Sequence, residues 1–324
     1  MTMARVGLAV GGAALVLIGG AALFGWPSSS AQERSTGLDG IDRVELAGGA
    51  GNVEVRHAPG ARAEIVQRVH RWESAFLGGG GGGGDATEIK HRVEGGALVL
   101  PTGCGWNCSV DYQVTLPVSV PVHGNLDSGD LDVVGMQSVQ AETGSGEVLL
   151  SEIGGPVDVR TGSGGVSVTQ VRGPVDAETG SGEITLAEIG GEVRAHTGSG
   201  GVSVSDVDGP VDADTGSGEI TLHEIGGRVG VETGSGGISG RGLRGAGVVA
   251  KAESGDVELE LVSPQTVEVS TGSGGIELTV PGDRYRVDTD SGSGGVDVDV
   301  AQDPAAVKRL TLSSGSGEIR VKQA

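Results

Sequence analysis

Aromatic residues, basic residues, prolines and cysteines are all scarce in this chain of 324 residues. Three Trp, two Tyr and two Phe are too few for a conventional core built around aromatic side chains. With only 11 prolines and no glycine at every third position, the sequence is not collagen-like. The 22 Lys and Arg are outnumbered by 43 Asp and Glu, and the net charge of -21 repels phosphate backbones and anionic lipid surfaces. We therefore expect no nucleic-acid partner.

Glycine is abundant instead, at 64 positions, together with 36% hydrophobic residues in regular alternation. Alternation disfavours disorder because it gives each segment one face that can be buried. The composition therefore predicts a repetitive protein that is rich in β-strands.

An uncharged stretch follows Arg5 and covers residues 6–26. As a helix it would be about 31 Å long, enough to cross a bilayer, whereas Ser29, Ser30 and Ala31 resemble a signal-peptide cleavage site. Residues 1–26 are therefore predicted to form an apolar helix, either a signal peptide or a membrane anchor, followed by a linker over 27–36. Both alternatives place the rest of the chain outside the cytoplasm, in the periplasm or at the cell surface. Membrane contact is expected only through this segment.

The chain has two cysteines, Cys104 and Cys108, four positions apart. Outside the cytoplasm such a pair is predicted to form a disulfide that closes a very short loop. The six histidines show no ligand spacing near the pair, so no metal site is expected there. A redox role is the remaining alternative.

A repeat of constant length runs through the middle of the sequence. The motif Thr-Gly-Ser-Gly recurs at every eighteenth position, beginning at Thr143, Thr161, Thr179, Thr197, Thr215 and Thr233. Related serines at less regular spacing extend the series to about eleven units, with further members at Ser128, Ser254, Ser273, Ser293 and Ser316.

Within one unit, such as 157–174, the apolar residues alternate as they do in short strands with one buried face. One unit cannot bury that face alone, whereas stacked units share a continuous narrow core. The sequence therefore predicts an all-β fold, a single-chain β-solenoid. An antiparallel meander is the alternative. The recurrent turn glycines are expected to supply positive φ or close backbone approach; they are Gly144, Gly146, Gly162, Gly164, Gly180, Gly182, Gly198, Gly200, Gly216, Gly218, Gly234 and Gly236.

The length of one turn has two possible values, one repeat unit or two. A Glu follows the motif in every other unit, at Glu147, Glu183 and Glu219, which suggests a module of two units. With two units per turn, however, acidic residues would become direct neighbours in one column of the sheet, which is unfavourable. Turns of a single unit are preferred because the column then reads Glu142, Arg160, Glu178, His196, Asp214 and Glu232.

The flanks of the repeat are less regular. Residues 37–122 are predicted to be an N-terminal β region or cap, with strands near 44–46, 52–56, 63–69, 97–100 and 110–116 and a glycine loop at 78–84. Residues 123–324 form the solenoid repeat region. Near its end, 303–310 is predicted to be a short helix or loop, and 314–321 to supply the last strand.

A turn of the form Ser-Gly-Asp/Glu followed by an aliphatic residue occurs at 128–131, 181–184 and 254–257. Behind an N-terminal apolar segment, such turns resemble those of the bacterial β-strand-repeat "putative adhesin" family, over roughly residues 40–323. The resemblance implies a cell-envelope β-solenoid of unknown function and brings no catalytic residue with it.

These features predict a non-enzymatic extracytoplasmic repeat protein of the cell envelope, adhesin-like or an interaction scaffold, with an envelope or surface partner that is expected to be a protein. No catalytic residue, cofactor or metal ligand is expected, because the carboxylates form columns rather than one unique constellation. One alternative is a calcium-binding β-roll-like repeat, although the Asp that the β-roll nonapeptide requires is missing. A second is a β-helix enzyme acting on polysaccharide, although Tyr285 is the one aromatic residue after His123.

Overall fold

The computed structural model describes residues 32–71, 90–105 and 108–324. The predicted apolar helix at 1–26 and the glycine loop at 78–84 lie outside the described residues. Residues 32–36 of the predicted linker form most of the first strand, because they pair with a later strand of the N-terminal region. In the described part of the chain, no helix is long and apolar enough to cross a bilayer.

The regular structure of these residues consists of β-strands. Their bounds are β1 (Gln32–Gly37), β2 (Arg43–Ala47), β3 (Val53–His57), β4 (Glu64–Arg71), β5 (Arg92–Glu94), β6 (Ala97–Leu100), β7 (Cys108–Leu116), β8 (Pro121–Leu126), β9 (Leu131–Val134), β10 (Ser138–Ser145), β11 (Val148–Ile153), β12 (Val157–Ser163), β13 (Val166–Val171), β14 (Val175–Ser181), β15 (Ile184–Ile189), β16 (Val193–Ser199), β17 (Val202–Val207), β18 (Val211–Ser217), β19 (Ile220–Ile225), β20 (Val229–Ser235), β21 (Ile238–Leu243), β22 (Gly247–Ser254), β23 (Val257–Leu261), β24 (Thr266–Ser273), β25 (Ile276–Val280), β26 (Arg286–Ser291), β27 (Val296–Asp299), β28 (Arg309–Ser314) and β29 (Ile319–Gln323).

The strands form two sheets. Sheet 1 has 15 strands in the order β1-β4-β7-β3-β9-β11-β13-β15-β17-β19-β21-β23-β25-β29-β27. Sheet 2 has 14 strands in the order β26-β28-β24-β22-β20-β18-β16-β14-β12-β10-β8-β2-β6-β5. Among the described strands, antiparallel pairing is confined to β1 with β4, β4 with β7 and β5 with β6. The prediction of an all-β solenoid is confirmed at the level of two largely parallel sheets, and the antiparallel meander is wrong.

Each turn of the repeat places one strand in each sheet. Ile184 of β15 pairs with Val166 on one side and with Val202 on the other, its counterparts in the preceding and following repeat units. In sheet 2, Glu178 lies between Arg160 and His196 in the same register. One turn of this region therefore takes a single repeat unit rather than two, and opposite or neutral side chains are neighbours in the column.

The core lies between the two sheets. In the unit formed by β14 and β15, the buried aliphatic side chains are Val175, Ala177, Ile184, Leu186 and Ile189. Because neighbouring turns repeat these positions, each side chain packs on its counterparts above and below. Burying one valine, leucine or isoleucine contributes roughly 1.5–3 kcal/mol, so the core of small aliphatic residues needs no large rings.

Spatial order departs from chain order at both ends. At the N-terminal end, β3 lies between β7 and β9, and β2 lies between β6 and β8. At the other end, β28 lies between β24 and β26, while β29 lies between β25 and β27. The segment predicted at 314–321 thus supplies the last strand of the chain, β29, but not the last strand of a sheet, because β26 and β27 occupy the edges.

Candidate interaction surfaces

The turn glycines lie where the backbones of successive turns touch. Gly182 has φ +150, and a Cβ there would lie 2.1 Å from the carbonyl oxygen of Gly164 in the turn before. Gly180 has an ordinary φ, but a Cβ would lie 2.6 Å from the carbonyl oxygen of Gly162. The same two situations recur in the six central units, so these residues position the turns and present no side chain to a ligand.

The threonine of the motif is buried behind these turns. Thr197 is fully buried, and its hydroxyl donates a hydrogen bond to the carbonyl oxygen of Gly182 at 3.1 Å. Thr179, Thr215 and Thr233 make the corresponding bond at 2.9–3.1 Å. These hydroxyls join adjacent turns and are not exposed to a substrate.

Apart from the last outward residue of each strand, which lies at a corner of the rod, the outer face of sheet 1 is uncharged over five neighbouring strands. Between β11 and β19, each strand directs two side chains outward before this corner, and seven of these ten positions carry a hydroxyl. The ten residues are Leu149, Ser151, Ser167, Thr169, Thr185, Ala187, Ser203, Ser205, Thr221 and His223. Their rows are separated by the strand spacing of about 4.8 Å, so the face is a regular array of small polar groups.

The outer face of sheet 2 is charged over the same length. Between β10 and β20 its outward positions hold seven acids and two arginines, namely Glu142, Asp158, Asp176, Glu178, Asp212, Asp214 and Glu232 with Arg160 and Arg194. Side-chain contacts cross the turns: the Arg160 Nε forms an ion pair with the Glu178 Oε2 at 3.3 Å, and the His196 Nδ1 lies 3.2 Å from the Asp214 Oδ1. The rod therefore has one neutral face and one acidic face.

One corner of the rod has an unusual backbone. Glu152, Gln170, Glu188, Asp206 and Glu224 form a column in which φ is 54–58°, the left-handed region. Each adds one outward position to its strand, so that the next residue points back into the core, as Ile189 does after Glu188. The repeat length places these residues in one column, but sequence reasoning missed their conformation. The available signal was that Gly135 and Gly242 take the place at the two ends of the column.

Beside this corner lies an open groove of about 630 Å³. Glu152, Gln170 and Glu188 of the corner column line one side of the groove. His57, Ser119, Met136 and Arg172 also line it. A second groove of about 690 Å³ lies in the N-terminal region, between Leu38, Ile41, Leu116, Val118 and Arg62. Both are shallow surface features of mixed polarity.

A family model matches two overlapping stretches of the chain, residues 113–224 and 192–324. It describes the Toastrack DUF4097 family, and the two matches together span more than half of the sequence. The chain belongs to the Toastrack DUF4097 family. The resemblance seen in the Ser-Gly-Asp/Glu turns is thereby confirmed as membership of a β-repeat family of unknown function.

Solved structures similar to this Toastrack chain include two with names that refer to adhesion. One is a "putative cell adhesion protein" from Clostridium sporogenes, with 10% identity and a TM-score of 0.20, covering 92% of this chain and 100% of the other. The second is a "putative adhesin" from Bacteroides fragilis, with 11% identity and a TM-score of 0.26, covering 92% and 99%. Scores this low support no argument about the Toastrack chain. Among curated proteins no significant match is found.

The cysteines of the Toastrack chain lie outside the repeat. A disulfide joins Cys104 and Cys108, whose Cα atoms are 5.3 Å apart, and both side chains pack partly against the core. The bond closes the loop that precedes β7, where Gly103 and Ser109 form an antiparallel bridge.

Perturbed titratable groups are scattered over the described residues. Burial, with a smaller contribution from Arg34, lowers the pKa of His91 near β5, and burial raises the pKa of Tyr112 in β7. At the opposite end of the sheets, burial raises the pKa of Tyr285, and the Lys322 ammonium lowers the pKa of Glu277. The phenol groups of Tyr112 and Tyr285 each donate a hydrogen bond to a nearby proline carbonyl oxygen, so their role is structural.

Proposed function

We propose that this Toastrack protein is a non-enzymatic, extracytoplasmic repeat protein of the cell envelope that acts as an adhesin-like interaction scaffold. The observation that carries the proposal is the parallel stacking of single-unit turns, which repeats the same outward side chains along two faces of different polarity. A repeated surface suits binding to an extended partner, whereas catalysis needs one unique constellation of tuned groups. The scattered positions of the perturbed groups are in keeping with this view.

The location outside the cytoplasm is supported by the apolar stretch at 6–26 and by the cysteine pair. Disulfides persist in oxidising compartments and are rare in the cytosol. The solenoid would then extend from the envelope and present its faces to a partner, which we propose to be a protein.

Thiol alkylation in living bacteria tests the location. The full-length chain with a C-terminal tag is compared with a variant that lacks residues 6–26, and free thiols are trapped with a maleimide that changes the electrophoretic mobility. We expect the full-length protein to react only after reduction and the deletion variant to react without it. A Cys104→Ala, Cys108→Ala double variant identifies the band without label. Equal reactivity of the full-length chain and the deletion variant would contradict an extracytoplasmic location.

Calcium binding has less support as a second function. Among the described residues, no group of three or more His, Cys, Asp or Glu is arranged to hold a metal ion. We expect no change in melting temperature at millimolar calcium, and a clear rise would favour the β-roll-like alternative.

A further inference from the structure

The C-terminal end of the rod leaves both sheets with an open edge. β26 is hydrogen-bonded to β28 alone and β27 to β29 alone among the described strands, so each has one free side. Backbone N–H and C=O groups on such an edge are available to another strand.

The core is uncovered at the same place. Val296 and Val298 of β27 are paired with the buried Ile319 and Val321, so they lie on the inner face of the sheet. Val296 is nevertheless 47% exposed, whereas Val166, at a corresponding position inside the rod, is 1% exposed. Val307, in the loop between β27 and β28, is 91% exposed. A strand added beside β27 would remove the exposed apolar surface of Val296 from water.

Charge alternates from strand to strand toward this edge. Glu277 of β25 is paired with Arg320 of β29, which is paired with Asp297 of β27. Lys322 is paired with Asp299 in the same way and also forms an ion pair with Glu277. The outward residues of the final strand are therefore acidic, and basic residues on a further strand would continue the alternation.

These features select between possible occupants. Two copies of the chain in contact through their C-terminal ends would bring their aspartates together. These are Asp297 and Asp299 of β27 and, on the outer side of β26, Asp288 and Asp290. Like charges on opposed strands are destabilising. A strand with alternating apolar and basic residues fits both the exposed valines and the aspartates. The chain itself supplies the template, because β29 pairs with β27 through the sequence Ile-Arg-Val-Lys.

We propose that the free edge of β27 accepts an extended segment of a partner protein, with alternating apolar and basic residues, as an added strand of sheet 1. The added strand places its apolar residues over Val296 and Val298 and its basic residues beside Asp297 and Asp299. Main-chain hydrogen bonds supply affinity and the alternating side chains supply specificity, as in other cases of strand addition. This site is separate from the two long faces, and it does not depend on the location of the protein in the cell.

A peptide-binding measurement with the full-length chain tests the proposal. The probe is a fluorescent peptide that contains Ile-Arg-Val-Lys-Gln between Gly-Ser flanks, and binding is followed by fluorescence polarisation. A peptide with Glu in place of Arg and Lys, and one of the same composition without alternation, serve as controls. We expect the first peptide to bind at least tenfold more tightly than either control, and amide exchange to slow in β27 when it is added.

Variants of the protein give the decisive comparison. The Asp297→Asn, Asp299→Asn double variant is expected to weaken binding of the basic peptide about tenfold. The Glu258→Gln, Glu260→Gln variant removes the same charge from the outer face of β23, which is not an edge strand, and is expected to have no effect on peptide binding. Binding that is absent in the unchanged protein, or equal for all peptides, would overturn the proposal. The proposal would also be overturned if the protein dimerised without any peptide and if the Asp297→Asn, Asp299→Asn variant dimerised more strongly. The strand that occupies the edge would then come from a second copy of the chain.

Discussion

At the residue scale, the least expected feature of the rod is the corner column of five residues, Glu152, Gln170, Glu188, Asp206 and Glu224, with φ in the left-handed region. Residues other than glycine rarely adopt this conformation, because Cβ then crowds the following carbonyl oxygen at a cost of roughly 1–2 kcal/mol. The strain is tolerated at five successive corners since the residue after each corner must return to the core.

Replacing a strained residue with glycine should therefore stabilise the rod. Asp206 has φ 54, and its side chain is exposed. We expect Asp206→Gly to raise the free energy of unfolding by about 1 kcal/mol in urea denaturation. Ser205→Gly, at the neighbouring position with an ordinary backbone, should instead lower it by about 0.5–1 kcal/mol. A loss of stability in Asp206→Gly would contradict the assigned strain.

At the turn glycines, by contrast, replacing glycine with a larger residue should destabilise the rod. Gly182→Ala forces a Cβ to within 2.1 Å of a carbonyl oxygen and into a positive φ, so we expect a loss of about 2 kcal/mol or more in the same measurement. Gly201→Ala is the matched control, because a Cβ there has 3.5 Å of space to the nearest atom and Glu183 takes this position one turn before. Equal effects of the two changes would show that turn contact is not what requires glycine.

At the scale of the element, the C-terminal strands hold the end of the rod together. Truncation after Lys308 removes β28 and β29, the strands to which β26 and β27 are hydrogen-bonded. We expect the remaining residues 281–308 to lose their protection from amide exchange and to be cleaved by trypsin at Arg284 and Arg286. Truncation after Val321 keeps most of β29 and should leave the protection of β27 largely intact. Unchanged protection in the shorter chain would refute the observed strand order.

The repeat predicts which residues share a column, but it does not determine the order of strands at this end. Both 291–294 and 314–317 carry a Ser-Gly-Ser-Gly turn, so either could stack on β24 and β25 by pattern alone. Charge separates the two, because Arg320 and Lys322 pair with Glu277 and Thr279, whereas Asp297 would place an acid beside Glu277. Similarly, β1 was missed in the sequence because it pairs antiparallel with a distant strand and lacks a regular alternation, and β5 was missed because its three residues are too few to show one.

At the scale of the whole molecule, stacking of identical turns makes the length of the rod adjustable. Deleting residues 184–201 removes one complete turn, β15 with β16, and joins Glu183 to Val202 in the same register. Deleting 184–192 removes β15 alone, so β14 would lead directly into another strand of sheet 2. We expect the first variant to remain folded by circular dichroism, with a slightly lower denaturation midpoint, and the second to aggregate or unfold. If neither deletion variant folds, or if both fold, the result would contradict a turn made of one repeat unit.

The most direct test of the stacked turns is a set of distances along one column. Spin labels at Leu149 and at Ser203, Ser239 or Glu277 are separated by three, five and seven strand steps in sheet 1. At about 4.8 Å per step, pulsed electron resonance should give distances of about 14, 24 and 34 Å that increase in a straight line. Distances that rise half as fast, or that do not increase with the number of units, would contradict the account.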